Sequence, residues 1–188
     1  MTTTSLTLKV KTMSESIVNK LKAHGLSDSA IAGIMGNIDV ETGGSFDYKT
    51  KQKGGKGYGL FQFDYLKPYY KKWLRTTKQK DSEDAQLKFF MDTVYGKHQD
   101  VIGAGNAAKL RDVLAKGDPA TVATSVSDIW LQPGKPHLER RVESAWKFAG
   151  GRPVESAQSP SVPPQQQEEV QSLSNPFTKV VDWWKNAF

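Results

Sequence analysis

A mainly α-helical (α+β) domain with one small β-hairpin, then a disordered linker and a C-terminal amphipathic helix, is the architecture this 188-residue sequence predicts. Three observations predict it. Apolar residues recur with helical period through most of the first 149 positions, in runs opened by Ser or Asp and stopped by Gly. One stretch, Tyr58 to Phe63, alternates instead and has glycines beside it. From Gly150 the composition turns to Pro, Gln, Ser and Glu before an aromatic-rich end.

Residues 1–12 are rich in Thr and Lys and alternate weakly at Leu6, Leu8 and Val10, which reads as an N-terminal arm or a strand lent to a partner's sheet. The domain is placed at 13–149. Ser14 is the expected cap of a first helix that turns Ile17, Val18 and Leu21 inward and stops at Gly25. Ser27 caps the next helix, whose apolar stripe is Ile31, Ile34, Met35 and Ile38. Gly33 and Gly36 inside it cost roughly 1 kcal/mol each against Ala, which points to close approach by another helix. Asn37 is placed to bond across to backbone.

Three residues past Ile38 the same stripe reaches Glu41, and Gly43-Gly44 then break the helix. Partial burial and the negative end of the helix dipole both disfavour an anion there, so both raise the carboxyl pKa. A carboxylic acid that keeps its proton near neutral pH can protonate a leaving oxygen.

Ser45 to Lys56 is a polar loop with Lys49, Lys51, Lys53 and Lys56 among glycines, which reads as a mobile solvated loop or, as the functional alternative, a flexible lip over a groove that attracts anionic glycan strands. Tyr58–Phe63 reads as a short strand with Tyr58, Leu60 and Gln62 on one face. Asp64 is the expected cap of a helix carrying Tyr69, Tyr70, Trp73 and Leu74, where Tyr69 or Tyr70 can stack on a sugar face. Ser82 opens a helix ended by Gly96, Asn106–Ala115 forms a short one, and Asp118-Pro119 opens another through Trp130. Leu138, Arg141, Val142, Ala145 and Trp146 mark the last domain helix. Residues 150–174 form the linker. Residues 175–188 place Phe177, Val180, Val181, Trp184 and Phe188 at helical spacing, an apolar face expected to dock on another protein in preference to a membrane.

The run Gly36-Asn37, Glu41-Thr42-Gly43, Phe46-Asp47 and Gly57-Tyr58-Gly59-Leu60-Phe61-Gln62 resembles the signature of the phage-type lysozyme and lytic transglycosylase families. Their pattern is a Gly-Asn and Glu-Ser-Gly-Phe helix end followed by a Gly-rich hairpin carrying Gly-Leu-x-Gln. Gln132-Pro133-Gly134-Lys135-Pro136-His137, followed by Arg140, Arg141 and Ala145, is similar to the closing segment of the phage tail lysozyme-like domain.

The resemblance spans about Ser14 to Ala149 and implies a lysozyme-like domain with a cleft between two lobes. It implies cleavage of the β-1,4 bond between N-acetylmuramic acid and N-acetylglucosamine, with Glu41 as catalytic acid. On the substrate side it implies Gln62, which would donate to a sugar and hold Glu41, together with Tyr58, Gly59, Asp47, Asp64 and Tyr69. Thr42 departs from the family's Ser, and Asp47 stands where related sequences commonly have Asn. Asp47 and Asp64 are the two candidates for a second carboxylate. Attack at C1 by water would make a muramidase, and attack by the sugar's own 6-hydroxyl a lytic transglycosylase.

Composition narrows the remaining classes. There is no Cys, and His24, His98 and His137 have no metal-ligand spacing, so no metal and no cofactor are expected. A net charge of +6 suits an anionic polymer, and without a basic stripe interleaved with aromatics the cell wall ranks above nucleic acid. The first residues, MTTTSLTLKVKTM, lack the apolar run of a secretory leader. The expectation is therefore a virion-associated protein that meets the wall at the start of infection, with host cytoplasm before holin-mediated release as the alternative. A virion structural or adaptor protein whose domain is kept for packing is the competing class.

Overall fold

The computed structural model describes residues 3–153, so the segment 175–188 and most of the expected linker lie outside the described residues. Seven α-helices are present among the described residues: α1 (Thr3–Ala23), α2 (Asp28–Thr42), α3 (Lys67–Thr76), α4 (Glu83–Tyr95), α5 (Ala104–Lys116), α6 (Pro119–Ser125) and α7 (Leu138–Phe148). A single 3-10 turn lies at Gln99–Val101, and α6 runs on into a π-turn at Val126–Leu131.

Most boundaries fall where the local chemistry predicts. Ser27, Ser82 and Asp118 each accept a backbone N–H from the third residue on, at 3.2, 3.1 and 2.8 Å. Two expectations fail at the helix starts. The arm is not separate: α1 begins at Thr3, because Leu6, Val10, Met13, Ile17 and Leu21 form one continuous helical row with no Gly or Pro to interrupt it. Ser14 accordingly sits mid-helix and donates back to the Lys11 carbonyl at 2.9 Å. Asp64 does not cap α3 with its side chain. Its carbonyl accepts the Lys67 N–H at 3.1 Å, and α3 starts on Leu66 without a side-chain cap.

The expected hairpin strand is also absent. Among the described residues no strand forms. One antiparallel bridge pairs Lys51 with Tyr58, and residues 59–62 are turn. The reason is burial. Leu60, Phe61 and Phe63 all enter the core, which two-residue alternation forbids, and positive φ at Gly59 (86°) and Gln62 (44°) folds the chain to let them in.

The core has two parts that share this loop. Helix α2 is buried on every side from Ala30 to Ile38, so it is the central helix of the domain. Its glycines admit α6 and α7: a Cβ on Gly33 would lie 2.4 Å from Val122 Cγ1, and one on Gly36 would lie 2.5 Å from the Arg141 carbonyl oxygen. Beside it Phe61, Phe63, Tyr70, Trp73, Phe89, Phe90 and Trp130 form an aromatic cluster, with Phe61 stacked on Phe90 at 5.6 Å. The buried Trp130 indole donates to Thr93 Oγ1 at 2.8 Å.

Candidate active site

Helix α2 stops just after Glu41, and the stop is built in. Thr42 Oγ1 donates to the Ile38 carbonyl at 2.7 Å and accepts the Phe46 N–H at 3.1 Å. Gly43 takes the left-handed conformation at φ 59°, and the Gly44 N–H closes on the Asp39 carbonyl at 2.9 Å. Thr42 therefore performs, through its hydroxyl, the turn-holding job expected of Ser.

Glu41 is only 14% exposed, and Arg141 Nη2 donates to its Oε1 at 2.7 Å. Arg141 comes from α7, one hundred positions along the chain, and is 2% exposed. Its other donors are fixed: Nη1 to Asn37 Oδ1 at 3.0 Å and Nε to the Pro136 carbonyl at 2.6 Å. Asn37 is itself anchored, since its Nδ2 donates to the carbonyls of Gly33 and Ala123, both at 3.0 Å. Three helices thus converge on one carboxyl. Glu41 Oε2 has no hydrogen-bond partner among the described residues.

Burial pushes the Glu41 carboxyl above the ordinary glutamate range, while the Arg141 charge and hydrogen bond, and more weakly His137, pull it back. Burial prevails. The result is a carboxyl that takes up a proton more readily than a free one yet stays oriented by a fixed cation.

The other expected site residues divide. Gln62 does not reach Glu41. Its Nε2 donates to the carbonyls of Thr50 at 3.2 Å and Gly59 at 2.8 Å, so both protons point inward. Its Oε1 is buried beside Gly57 without a partner. Gln62 is linked to the acid indirectly: Thr50 Oγ1 lies 2.9 Å from Ser45 Oγ, and Ser45 Oγ bonds the Thr42 carbonyl at 3.0 Å.

Tyr58 gives its hydroxyl proton to Asp81 and is not free to donate elsewhere. Gly59 is buried where a Cβ would lie 2.4 Å from Gln86 Oε1. Asp47 Oδ1 accepts the Lys49 N–H at 2.9 Å and holds a turn. Asp64 is exposed, and Tyr69 is 46% exposed. Tyr70, the alternative sugar platform, is buried and donates to Asp81 Oδ1 at 2.7 Å.

Sequence reasoning missed two participants. Arg141 was legible only as a cation on an apolar helix stripe, a placement that demands a buried anion. Asp81 had no signal, though it and Gln86 hold the loop down: Gln86 Nε2 donates to the Tyr48 carbonyl at 2.9 Å and its Oε1 accepts the Leu60 N–H at 2.8 Å.

A hollow of about 610 Å³ opens elsewhere, lined by His24, Leu26, Trp73, Lys88, Met91 and Tyr95 among others. Leu26 and Glu41 bracket α2, whose rise of about 1.5 Å per residue puts them roughly 22 Å apart. The hollow shares no residue with the carboxyl site. With this geometry in place, comparison with curated proteins finds no match. Comparison with protein families finds one, described as phage tail lysozyme, over residues 12–150.

Proposed function

This chain belongs to the phage tail lysozyme family, and from that premise we propose that its lysozyme-like, peptidoglycan-degrading activity is carried by Glu41 as general acid. The observation that supports this reading is a largely buried carboxyl with a raised pKa, held at one oxygen by Arg141 and unbonded at the other among the described residues. The bond cleaved is the β-1,4 link from N-acetylmuramic acid to N-acetylglucosamine. Glu41 gives its proton to the glycosidic oxygen, and positive charge develops at C1. Water attack yields a reducing end. Attack by the 6-hydroxyl, with the carboxylate taking that proton back, yields an anhydro end.

Asp47 Oδ1 is taken by the Lys49 N–H and Asp64 is exposed, so Glu41 is the carboxyl to which the chemistry is assigned. Gln62 contributes an acceptor in place of the donor expected of it. An unpartnered buried acceptor costs about 1–3 kcal/mol, and Oε1 would meet a sugar N–H or hydroxyl only if the Gly57 loop moved aside. Tyr69 offers the exposed ring for stacking.

The protein is read as virion-associated, meeting glycan strands of the host wall at the start of infection, with residues 175–188 docking on another virion protein. The test is turbidity loss of purified walls. Wild type should clear them and Glu41→Gln, which keeps shape and removes the proton, should not. Equal clearing by both would remove Glu41 from the chemistry. Mass spectrometry of the released sugars then assigns reducing or anhydro ends.

A further inference from the structure

Ten Lys and Arg side chains fall between Tyr48 and Lys80, with Asp64 as the only acid. This local excess of nine is larger than the +6 of the whole chain, so the remainder of the sequence is net acidic. The basicity belongs to one surface and not to the molecule at large.

That surface has two parts in contact. The four lysines of the loop from Lys49 to Lys56 are exposed, as are Lys71, Lys72 and Arg75 on α3. Lys67 Nζ at the start of α3 donates to the Lys56 carbonyl at 2.9 Å and lies 5.9 Å from the centre of the Tyr58 ring. Tyr58 from the loop and Tyr70 from α3 both donate to Asp81. The flanking acids are occupied internally, Asp47 by its own turn and Asp81 by the two tyrosines and Gln86.

None of the ten cations is in an ion pair among the described residues. Elsewhere Lys20, Lys88, Lys116 and Lys147 all have carboxylate partners within 2.9 Å. Unopposed positive charge of this density raises the local concentration of polyanions. On α3, Lys67, Lys71 and Arg75 recur every fourth residue, a row with a step of roughly 6 Å along one helix face. A row of that kind fits a linear polymer with one negative charge per short repeat better than peptide stems, where carboxylates alternate with amines.

We propose that the loop and α3 together bind a polyol-phosphate chain carried on the wall, and so present the neighbouring glycan strand to Glu41. The proposal deepens the glycosidase reading and rests on it for the wall as target. The link is physical: Thr50 of the cationic loop lies 2.9 Å from Ser45 Oγ, which bonds the Thr42 carbonyl at the end of α2.

The test uses the full chain and the triple variant Lys71→Gln, Lys72→Gln, Arg75→Gln, all exposed positions outside the acid site. Co-sedimentation is measured on purified walls before and after hydrofluoric acid strips their phosphodiester polymers. Soluble polyglycerol phosphate and single-stranded DNA serve as competitors. Stripping should weaken wild-type binding roughly tenfold or more and flatten its salt dependence. The triple variant should bind untreated walls about as weakly as wild type binds stripped ones, while both cleave stripped peptidoglycan equally.

Wild-type binding indifferent to stripping would overturn the proposal, as would undiminished binding by the variant. DNA competing at lower concentration than polyglycerol phosphate would replace it with nucleic-acid binding. Phosphate-dependent binding without cleavage of stripped peptidoglycan would sink the glycosidase reading and with it the presentation to Glu41, while upholding the polymer binding by the loop and α3.

Discussion

Glu41 stands between two opposing influences of similar kind. Burial asks it to be neutral, and Arg141 asks it to be charged. As a general acid it is active when protonated, so cleavage should fall as pH rises through its raised pKa. Arg141→Met removes a lowering influence, and the descending limb of the pH–rate profile should therefore move to higher pH. The same variant leaves Asn37 Oδ1 and the Pro136 carbonyl without donors. It should lower unfolding free energy by about 3 kcal/mol in chemical denaturation. An unchanged profile with lowered stability would reduce Arg141 to a purely structural role. Glu41 itself was legible, because a periodic stripe and a glycine stop are local signals. Its partner was not, since nothing in the chain between residues one hundred positions apart encodes the pairing.

Among the elements, α2 depends on its glycines and its caps. Gly36→Ala would set a methyl group 2.5 Å from the Arg141 carbonyl, a backbone atom that can move only if α7 moves. The expected cost is on the order of 2–3 kcal/mol, a fall of roughly 5–10 °C in Tm. Activity should fall too, because α7 carries Arg141. Ser27→Ala removes the N-cap acceptor and should cost about 1 kcal/mol without touching activity.

Helix α4 offers an acid-side probe. Burial alone would raise the Asp92 pKa, but the Trp73 indole at 2.6 Å, the Lys97 N–H at 3.0 Å and His98 at 2.6 Å together bring it below the ordinary aspartate range. A depressed carboxylate stabilises the fold above its unfolded pKa of about 4, and that stabilisation is lost as pH falls through the folded value. The stability gap between wild type and Asp92→Asn, from denaturation curves across pH, should close toward the acid end.

At the scale of the whole molecule, charge is segregated: the loop and α3 are basic and the rest is net acidic. Activity on intact walls should therefore drop steeply between about 50 and 200 mM salt, whereas cleavage of short soluble muropeptides should vary little. Deleting residues 175–188 should leave wall cleavage intact and abolish incorporation into the virus particle. Loss of cleavage would show that the segment serves the domain itself.

Local order along the chain was enough for whatever is encoded within a turn or two of backbone. That covers the existence of the helices after Gly25, the Ser27, Ser82 and Asp118 caps, the break after Glu41 and the placement of positive charge. The fate of Tyr58–Phe63 and the start of α1 escaped it, because a short apolar run fits either period until burial chooses. Packing in three dimensions sets the rest: Arg141 and Asn37 hold the acid, Gln62 turns its protons inward, and Asp81 fastens the loop. Those are contacts between helices remote in sequence, set by how closely Gly33 and Gly36 let α6 and α7 approach α2, and no periodicity along the chain records them.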